Sequence, residues 1–105
     1  MNSDDISQIG TKYAADWLQR SGYDPKQGNE QPGGVEIEAD HPSARILVLL
    51  RIAVFPALPK EMTLDEAHQL KARAAQAGRR PYAATITIDA HGHLVRDAQW
   101  LPIPR

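Results

Sequence analysis

Apolar side chains recur every three or four positions between residues 4 and 21, and this spacing predicts an amphipathic helix. Ser3 or Asp4 is placed to cap its first turn, and Asp4 and Asp5 lie near the positive end of the helix dipole. Gly22 occupies the position where a left-handed residue ends a helix. The apolar stripe that would face the core consists of Ile6, Ile9, Tyr13, Ala14, Trp17 and Leu18.

A second helix is predicted over residues 64–77, again from apolar residues at helical spacing. Thr63 and Glu66 have the spacing of a capping box, in which each side chain accepts a hydrogen bond from the other residue's backbone N–H. Gly78 is expected to end the helix. This helix separates the predicted strands into two groups.

Residues 35–40 alternate between apolar and acidic side chains, which is typical of a strand with one buried face. Residues 46–55 are apolar except for Arg51, which predicts a central buried strand. A turn at residues 41–44 would join the two strands as an antiparallel hairpin, in which residues of opposite parity face each other. One face of this hairpin therefore carries Glu36, Glu38, Asp40, Arg45, Leu47, Leu49 and Arg51.

The remaining strands are predicted from shorter patterns. Residues 82–89 and 94–100 form a second hairpin around a turn at residues 90–93. Residues 23–27 predict a short edge strand, because Pro25 cannot donate to a central ladder. The segments predicted to be irregular are a glycine-rich loop at residues 28–34 and a proline-containing tail at residues 101–105.

The order of elements, α-β-β-β-α-β-β, predicts an α/β protein with a central mixed sheet flanked by two main helices. The length of 105 residues predicts a single domain over residues 1–105, with an ordered core at about residues 4–100. The chain has no cysteine, which excludes disulfides, thiolate metal sites and cysteine nucleophiles and fits a reducing compartment.

Charge and hydropathy narrow the expected partners. The formal net charge is −1, so nucleic-acid binding would need a local basic patch rather than a global basic field. No apolar run approaches the roughly 18 residues of a membrane span, and the polar start at residues 1–5 has no secretory signal pattern. We therefore expect a cytoplasmic protein without a membrane partner.

Short motifs in the first helix and the first hairpin match a known pattern. Residues 10–29 follow the spacing G-E-x-x-A-A-x-Y-L, G-Y and R-N at Ala14, Ala15, Leu18, Gly22, Tyr23 and Asn29. Residues 33–39 are similar to G-E-I-D-L-I-A, and residues 46–51 are similar to V-F-V-E-V-K. These motifs resemble those of small bacterial proteins of the PD-(D/E)xK superfamily, which includes predicted endonucleases and Holliday-junction-resolvase-like proteins. The resemblance implies the restriction-endonuclease-like fold.

The resemblance also implies a chemistry, metal-assisted phosphodiester hydrolysis, in which carboxylates hold Mg²⁺ and a lysine assists the nucleophile. The family's motif positions fall here on Thr11, Glu36, Leu49 and Arg51, so only one carboxylate remains. Leucine cannot bind a hard cation, and arginine stays protonated where lysine can exchange a proton. The resemblance therefore implies a degenerate active site, in which no catalytic residue is assigned. No cofactor is expected, and Mg²⁺ would bind only if a residual site survives.

The acidic face of the hairpin has three interpretations, and the sequence leaves them open. Glu36 and Arg51 could form a structural ion pair in place of a lost metal site. Glu36 with Glu38 or Asp40 could bind Mg²⁺, since alternate residues on a strand lie roughly 6.5–7 Å apart. The alternation could also mark a solvated polar face.

Other polar clusters are candidates for binding. Basic residues around the second helix are candidates for nucleic-acid binding, although acidic neighbours favour a solvated helix face. His91 and His93 are a weak metal candidate and are expected to be turn residues. Trp100 ends the last strand and is expected near uncovered apolar area that would mark an interface or a homodimer. The basic residues are Lys71, Arg73, Arg79 and Arg80.

The combined expectation is a non-catalytic protein of endonuclease-like fold that acts as a binding or interaction module, with nucleic acid as a candidate partner. The alternatives are a weak Mg²⁺-dependent nuclease that uses Glu36 with Glu38 or Asp40, and a protein-binding subunit. Metal dependence separates the first two, and the salt dependence of nucleic-acid binding separates the first from the third.

Overall fold

The protein has a five-stranded sheet with one helix on each face. The structure is a computed structural model, and it describes residues 2–31 and 34–103. The elements in chain order are α1 (Ser3–Arg20), β1 (Asp24–Gln31), β2 (Gly34–His41), β3 (Ala44–Val54), α2 (Leu64–Gln76), β4 (Arg80–Ile88) and β5 (Leu94–Pro102).

The strands lie in the order in which they occur in the chain, β1-β2-β3-β4-β5. All neighbouring strands are antiparallel except β3 and β4. These two are parallel because α2 returns the chain to the end of the sheet at which β3 begins. The mixed sheet and the order of elements confirm the fold class predicted from the sequence. The apolar strand β3 is the central strand, as predicted, and β1 with its Pro25 is at an edge.

The first helix begins one residue earlier than predicted, and its cap is Asn2 rather than Ser3 or Asp4. The Asn2 side-chain oxygen accepts a hydrogen bond from the backbone N–H of Asp5 at 2.9 Å. Asparagine is among the best capping residues, which explains why the helix begins directly after Asn2. Gly22 follows the helix at φ 92°, the left-handed conformation that the sequence predicted.

The predicted register of the first hairpin is confirmed. Asp40 pairs with Arg45 and Glu36 pairs with Leu49, on either side of a turn at residues 42–43. Side chains alternate along each strand, so one face of the hairpin turns to α1 and the other turns to α2.

The larger core lies between α1 and the sheet. Leu18 from the helix packs with Ile37, Leu50 and Ile86 from three neighbouring strands, and all four side chains are fully buried. Each such side chain stabilises the fold by about 1.5–3 kcal/mol relative to an exposed one. The helix approaches β3 closely at Gly10, where a Cβ atom would overlap Ile52.

A smaller apolar cluster lies between α2 and the other face of the sheet. It consists of Leu47 and Leu49 from β3 with Leu70 and Ala74 from α2. This cluster occupies the middle of the face on which the sequence placed the acidic residues of β2. The candidate site therefore lies beside an apolar contact rather than in an open cleft.

Two segments predicted to be irregular lie partly in strands. β1 continues to Gln31, so residues 28–31 are not loop; a register irregularity between Gln27 and Glu30 accommodates Gly28. Residues 32 and 33 of the predicted loop lie outside the described residues, as do residues 104 and 105 of the predicted tail. Pro102 is still in β5, because an edge strand tolerates a missing donor on its outer side. Beyond it, the N–H of Ile103 donates to the Pro81 carbonyl at 3.0 Å.

Candidate functional site

Three of the four motif positions meet on one face of the sheet. Glu36 on β2 and Leu49 and Arg51 on β3 all turn to α2, because Leu49 packs against Leu70 of that helix and the other two share its face. Thr11 is on α1, which packs against the opposite face. The structure therefore does not bring Thr11 together with the other three positions.

Glu36 is a buried carboxylate, with only 4% of the residue exposed. Its Oε2 atom accepts a hydrogen bond from Nε of Arg73 at 2.7 Å, and a second guanidinium nitrogen of Arg73 also pairs with this oxygen. Arg73 is on α2, in its last turn. The charge of Glu36 is thus balanced by an arginine from the covering helix, and the interpretation of a solvated strand face is wrong at this position.

Arg51 is equally inaccessible, with 7% of the residue exposed. One nitrogen of its guanidinium group donates to the carbonyl oxygens of Lys60 and Glu61 at 3.1 and 3.0 Å, and the other pairs with Oε2 of Glu66. Its Nε atom is buried and has no hydrogen-bond partner within the described ranges. The side chain connects β3 to the start of α2 and to the loop that precedes it.

Glu66 is held from two sides. Its Oε1 accepts the Thr63 N–H at 3.0 Å, and its own N–H donates to the Thr63 hydroxyl at 3.2 Å, which confirms the predicted capping box. These hydrogen bonds, with the nearby charge of Arg51 as a smaller contribution, hold the pKa of Glu66 below its usual value of 4.5. Glu66 therefore stays ionised while it both caps α2 and neutralises Arg51.

The predicted Glu36–Arg51 ion pair is wrong, because each residue pairs with α2 instead. Glu66 and Arg73 are seven residues apart, so they lie two turns apart on the same side of the helix. Leu70 lies between them and packs on Leu49. The signal was available in the sequence: two charged residues at helical spacing occupy the same stripe as Leu70 and Ala74, which directs them to the sheet.

Arg79 is a second buried arginine, besides Arg51, and only 8% of the residue is exposed. Its guanidinium lies 2.7 Å from Oδ1 of Asp40 and 3.2 Å from Oε2 of Glu38. It also donates to the carbonyl oxygens of Ala39 and Ile46. The hydrogen bond from Arg79, aided by the more exposed Arg45, holds the pKa of Asp40 below its usual value of 3.8.

The side chains on this face do not fit the divalent cation that the resemblance implies. Glu36, Glu38 and Asp40 each pair with an arginine, so their negative charge is already balanced. Leu49 supplies no ligand at the position where the resemblance implies a second carboxylate. In residues 2–31 and 34–103, no group of three or more histidine, aspartate or glutamate side chains has the arrangement of a metal site.

The predicted nucleic-acid-binding residues do not form one surface. Arg73 and Arg79 turn inward to the acidic residues of β2, as described above. Lys71 and Arg80 line two neighbouring surface depressions at the end of α2. The depression lined by Arg80 lies next to the hairpin turn between β2 and β3, and Arg45 of β3 lines it as well.

His91 and His93 are turn residues. Their backbone N–H groups both donate to Oδ1 of Asp89, at 2.8 and 2.9 Å, and close the turn between β4 and β5. These bonds, led by that from His93, hold the pKa of Asp89 below its usual value of 3.8. The imidazole rings are exposed, with their centroids 6.4 Å apart.

Trp100 is covered within the chain rather than left open. Its ring stacks on that of Trp17 of α1, with centroids 4.5 Å apart and planes inclined by 23°. The neighbouring Leu101 is 63% exposed, so the uncovered apolar area predicted at this end belongs to Leu101.

No helix in the described part of the chain is long and apolar enough to cross a membrane.

The sheet order, the parallel β3–β4 pair and the two flanking helices define the restriction-endonuclease-like fold. The chain is similar to a solved structure of Hjc from Archaeoglobus fulgidus, a Holliday junction resolvase from an archaeal hyperthermophile. The TM-score is 0.64 and the identity is 18%, over 92% of this chain and 72% of that one. No protein-family model matches the sequence, and no curated protein matches it.

Proposed function

We propose that this chain is a non-catalytic protein of the restriction-endonuclease-like fold that acts in the cytoplasm as a single-domain binding module for nucleic acid. One observation carries the proposal: α2 covers the motif face and pairs its own Glu66 and Arg73 with Arg51 and Glu36. The two motif residues that could take part in hydrolysis are thus buried and neutralised.

Hydrolysis by the superfamily's mechanism requires a scissile phosphate and a metal ion to meet carboxylates and a lysine. Here Leu49 packs against α2 where a second carboxylate would be needed. The guanidinium group of Arg51 uses its donors on Glu66 and on two backbone carbonyls. A phosphate could reach this face only if α2 moved away.

A binding role for nucleic acid is supported by two features. A Holliday junction resolvase shares the fold, and cations of this chain collect at the end of the sheet where β3 begins. Because the net charge of the chain is −1, such binding depends on this local collection.

An amide NMR titration with Mg²⁺ and then Mn²⁺, followed by nuclease assays on branched and single-stranded DNA, tests the loss of catalysis. We expect the signals of Glu36 and Glu38 to stay in place and no DNA to be cleaved. Selective broadening of these signals, with cleavage that Glu36→Gln abolishes and the exposed control Glu61→Gln retains, would establish instead the weak nuclease that uses Glu36 with Glu38 or Asp40.

A second candidate function, a protein-binding subunit or a homodimer, is favoured by exposed apolar residues at the opposite end of the sheet. Phe55 follows β3, Leu58 is in the next loop, Leu64 begins α2 and Leu94 begins β5, and all four are exposed. Sedimentation of the wild type and of Leu58→Ser over a range of concentrations tests this candidate. A monomer in both cases would remove the homodimer.

A further inference from the structure

Two depressions lie side by side where α2 ends and β4 begins. Lys71, Ala75 and Arg79 line the first, and Arg45 and Arg80 line the second together with the β2–β3 turn. Gly78 lines both, and a Cβ atom added there would meet nothing within 4 Å. A ligand's backbone can therefore approach the protein between the two groups of cations.

The charges at this end of the sheet are divided into an inner and an outer set. The inner set is Arg79, which is buried and forms ion pairs with Glu38 and Asp40. The outer set consists of Arg45, Lys71 and Arg80. Arg45 pairs with Asp40 only at 3.4 Å, with both side chains about half exposed, so this pair is weak and solvent-screened. The outer set thus has donors available to a ligand.

We propose that this end of the sheet binds the phosphodiester backbone of nucleic acid, with Arg45, Lys71 and Arg80 as the phosphate contacts. The inference rests on the proposed function and assigns its binding surface to the end of the sheet where β3 begins. Arg79 is a positioning residue: it holds the β2–β3 hairpin against the start of β4 through the Ala39 and Ile46 carbonyls. The contacts carry no base recognition, so binding is independent of sequence.

The explanation that competes with this proposal is purely structural. Cations near the C-terminus of a helix stabilise it through the helix dipole, and Lys71 and Arg80 flank the end of α2. That role would be seen in the unfolding transition and would leave DNA affinity unchanged. Stability and affinity must therefore be measured on the same variants.

Fluorescence anisotropy with a short fluorescein-labelled duplex DNA, over a series of salt concentrations, tests the proposal. The test variant is Arg45→Gln/Lys71→Gln/Arg80→Gln. The matched control is Lys12→Gln/Lys60→Gln/Arg96→Gln, which removes the same charge from exposed positions elsewhere. We expect the slope of log affinity against log salt to fall by about 0.9 for each lost contact in the test variant, and to stay near the wild-type value in the control.

Conservative replacement separates charge from fold. Arg45→Lys/Arg80→Lys keeps both charges, and we expect it to retain most of the affinity and the salt slope of the wild type.

Equal loss of affinity in the test and control triple variants would overturn the proposed surface while leaving nucleic-acid binding in place. A wild-type chain that binds neither duplex nor single-stranded DNA would overturn both the surface and the nucleic-acid part of the proposed function. Tighter binding to polyglutamate than to DNA of equal charge would assign the surface to an acidic protein and overturn the proposal.

Discussion

Arg73 in the last turn of α2 and the buried carboxylate of Glu36 on β2 form a part-buried ion pair, 37 positions apart in the chain. It joins the helix to the strand next to the edge strand β1. A second ion pair, between Arg51 of β3 and Glu66 of α2, runs in the opposite sense. The helix and the sheet therefore each contribute one cation and one anion to the contact between them.

Removing Arg73 should cost more than removing the whole pair. Arg73→Met leaves the carboxylate of Glu36 buried without its partner, and we expect the free energy of unfolding to fall by about 3 kcal/mol. Glu36→Leu/Arg73→Met replaces both charges with apolar side chains and should recover most of that loss. Urea unfolding of the wild type and of the two variants measures the difference. If Arg73→Met is as stable as the wild type, the pair contributes nothing to the fold.

Arg51 should not be replaceable by lysine. The guanidinium group serves Glu66 and two backbone carbonyls at once, whereas an ammonium group has another geometry. We expect both Arg51→Lys and Arg51→Met to lower the free energy of unfolding, by about 1 and 3 kcal/mol respectively. Hydrogen exchange should accelerate first at residues 60–66. Arg96→Met on the exposed side of β5 is the control and should change stability little.

Acid should destabilise the fold through Asp40 and Glu66. The pKa values of both carboxyl groups lie below their usual values of 3.8 and 4.5 in the folded chain. A group with a depressed pKa stabilises the fold above its unfolded pKa, and this stabilisation is lost as pH falls through the folded value. Stability should thus decline once the pH drops below about 4.5. Urea unfolding across the acid range should show a shallower decline for Asp40→Asn than for the exposed control Asp16→Asn.

The stacked pair Trp17–Trp100 should stabilise the α1 face. Trp17→Ala removes the stacking and part of the cover over β5, and we expect a loss of about 2 kcal/mol because Trp17 is 38% exposed. The near-ultraviolet circular dichroism of the pair should weaken at the same time. Leu101→Ala, on the same stretch of β5, should leave both quantities almost unchanged. A spectrum that Trp17→Ala does not alter would mean that the rings do not stack in solution.

The sequence predicted most of the fold because its patterns are local. The spacing of Leu70 and Ala74, the Thr63–Glu66 capping box and the alternation along β2 each specify one element and one face. The strand at residues 28–31 was missed because glycines usually signal a loop, whereas here the edge strand absorbs Gly28 through an irregular register.

The candidate site was predicted less well, because its contacts depend on the position of α2. Parity on the hairpin placed Glu36 and Arg51 on one face but could not show that a helix lies over both. The same applies to Arg73 and Arg79, which a linear basic cluster presented as surface residues. Their partners lie on β2, more than 35 positions away. Charged residues that pair across such a distance leave no periodic pattern in the sequence from which the pairing could be predicted.

The contact of Leu49 with Leu70 and Ala74 has a consequence for evolution. A glutamate at position 49 would be a carboxylate inside an apolar cluster, so it would weaken folding before it could add a ligand. A change at Arg73 or at Arg51 would likewise break an ion pair between α2 and the sheet. Each of these changes alone is expected to lower the free energy of unfolding. The packing of α2 thus limits which residues evolution can place at these positions without a loss of stability.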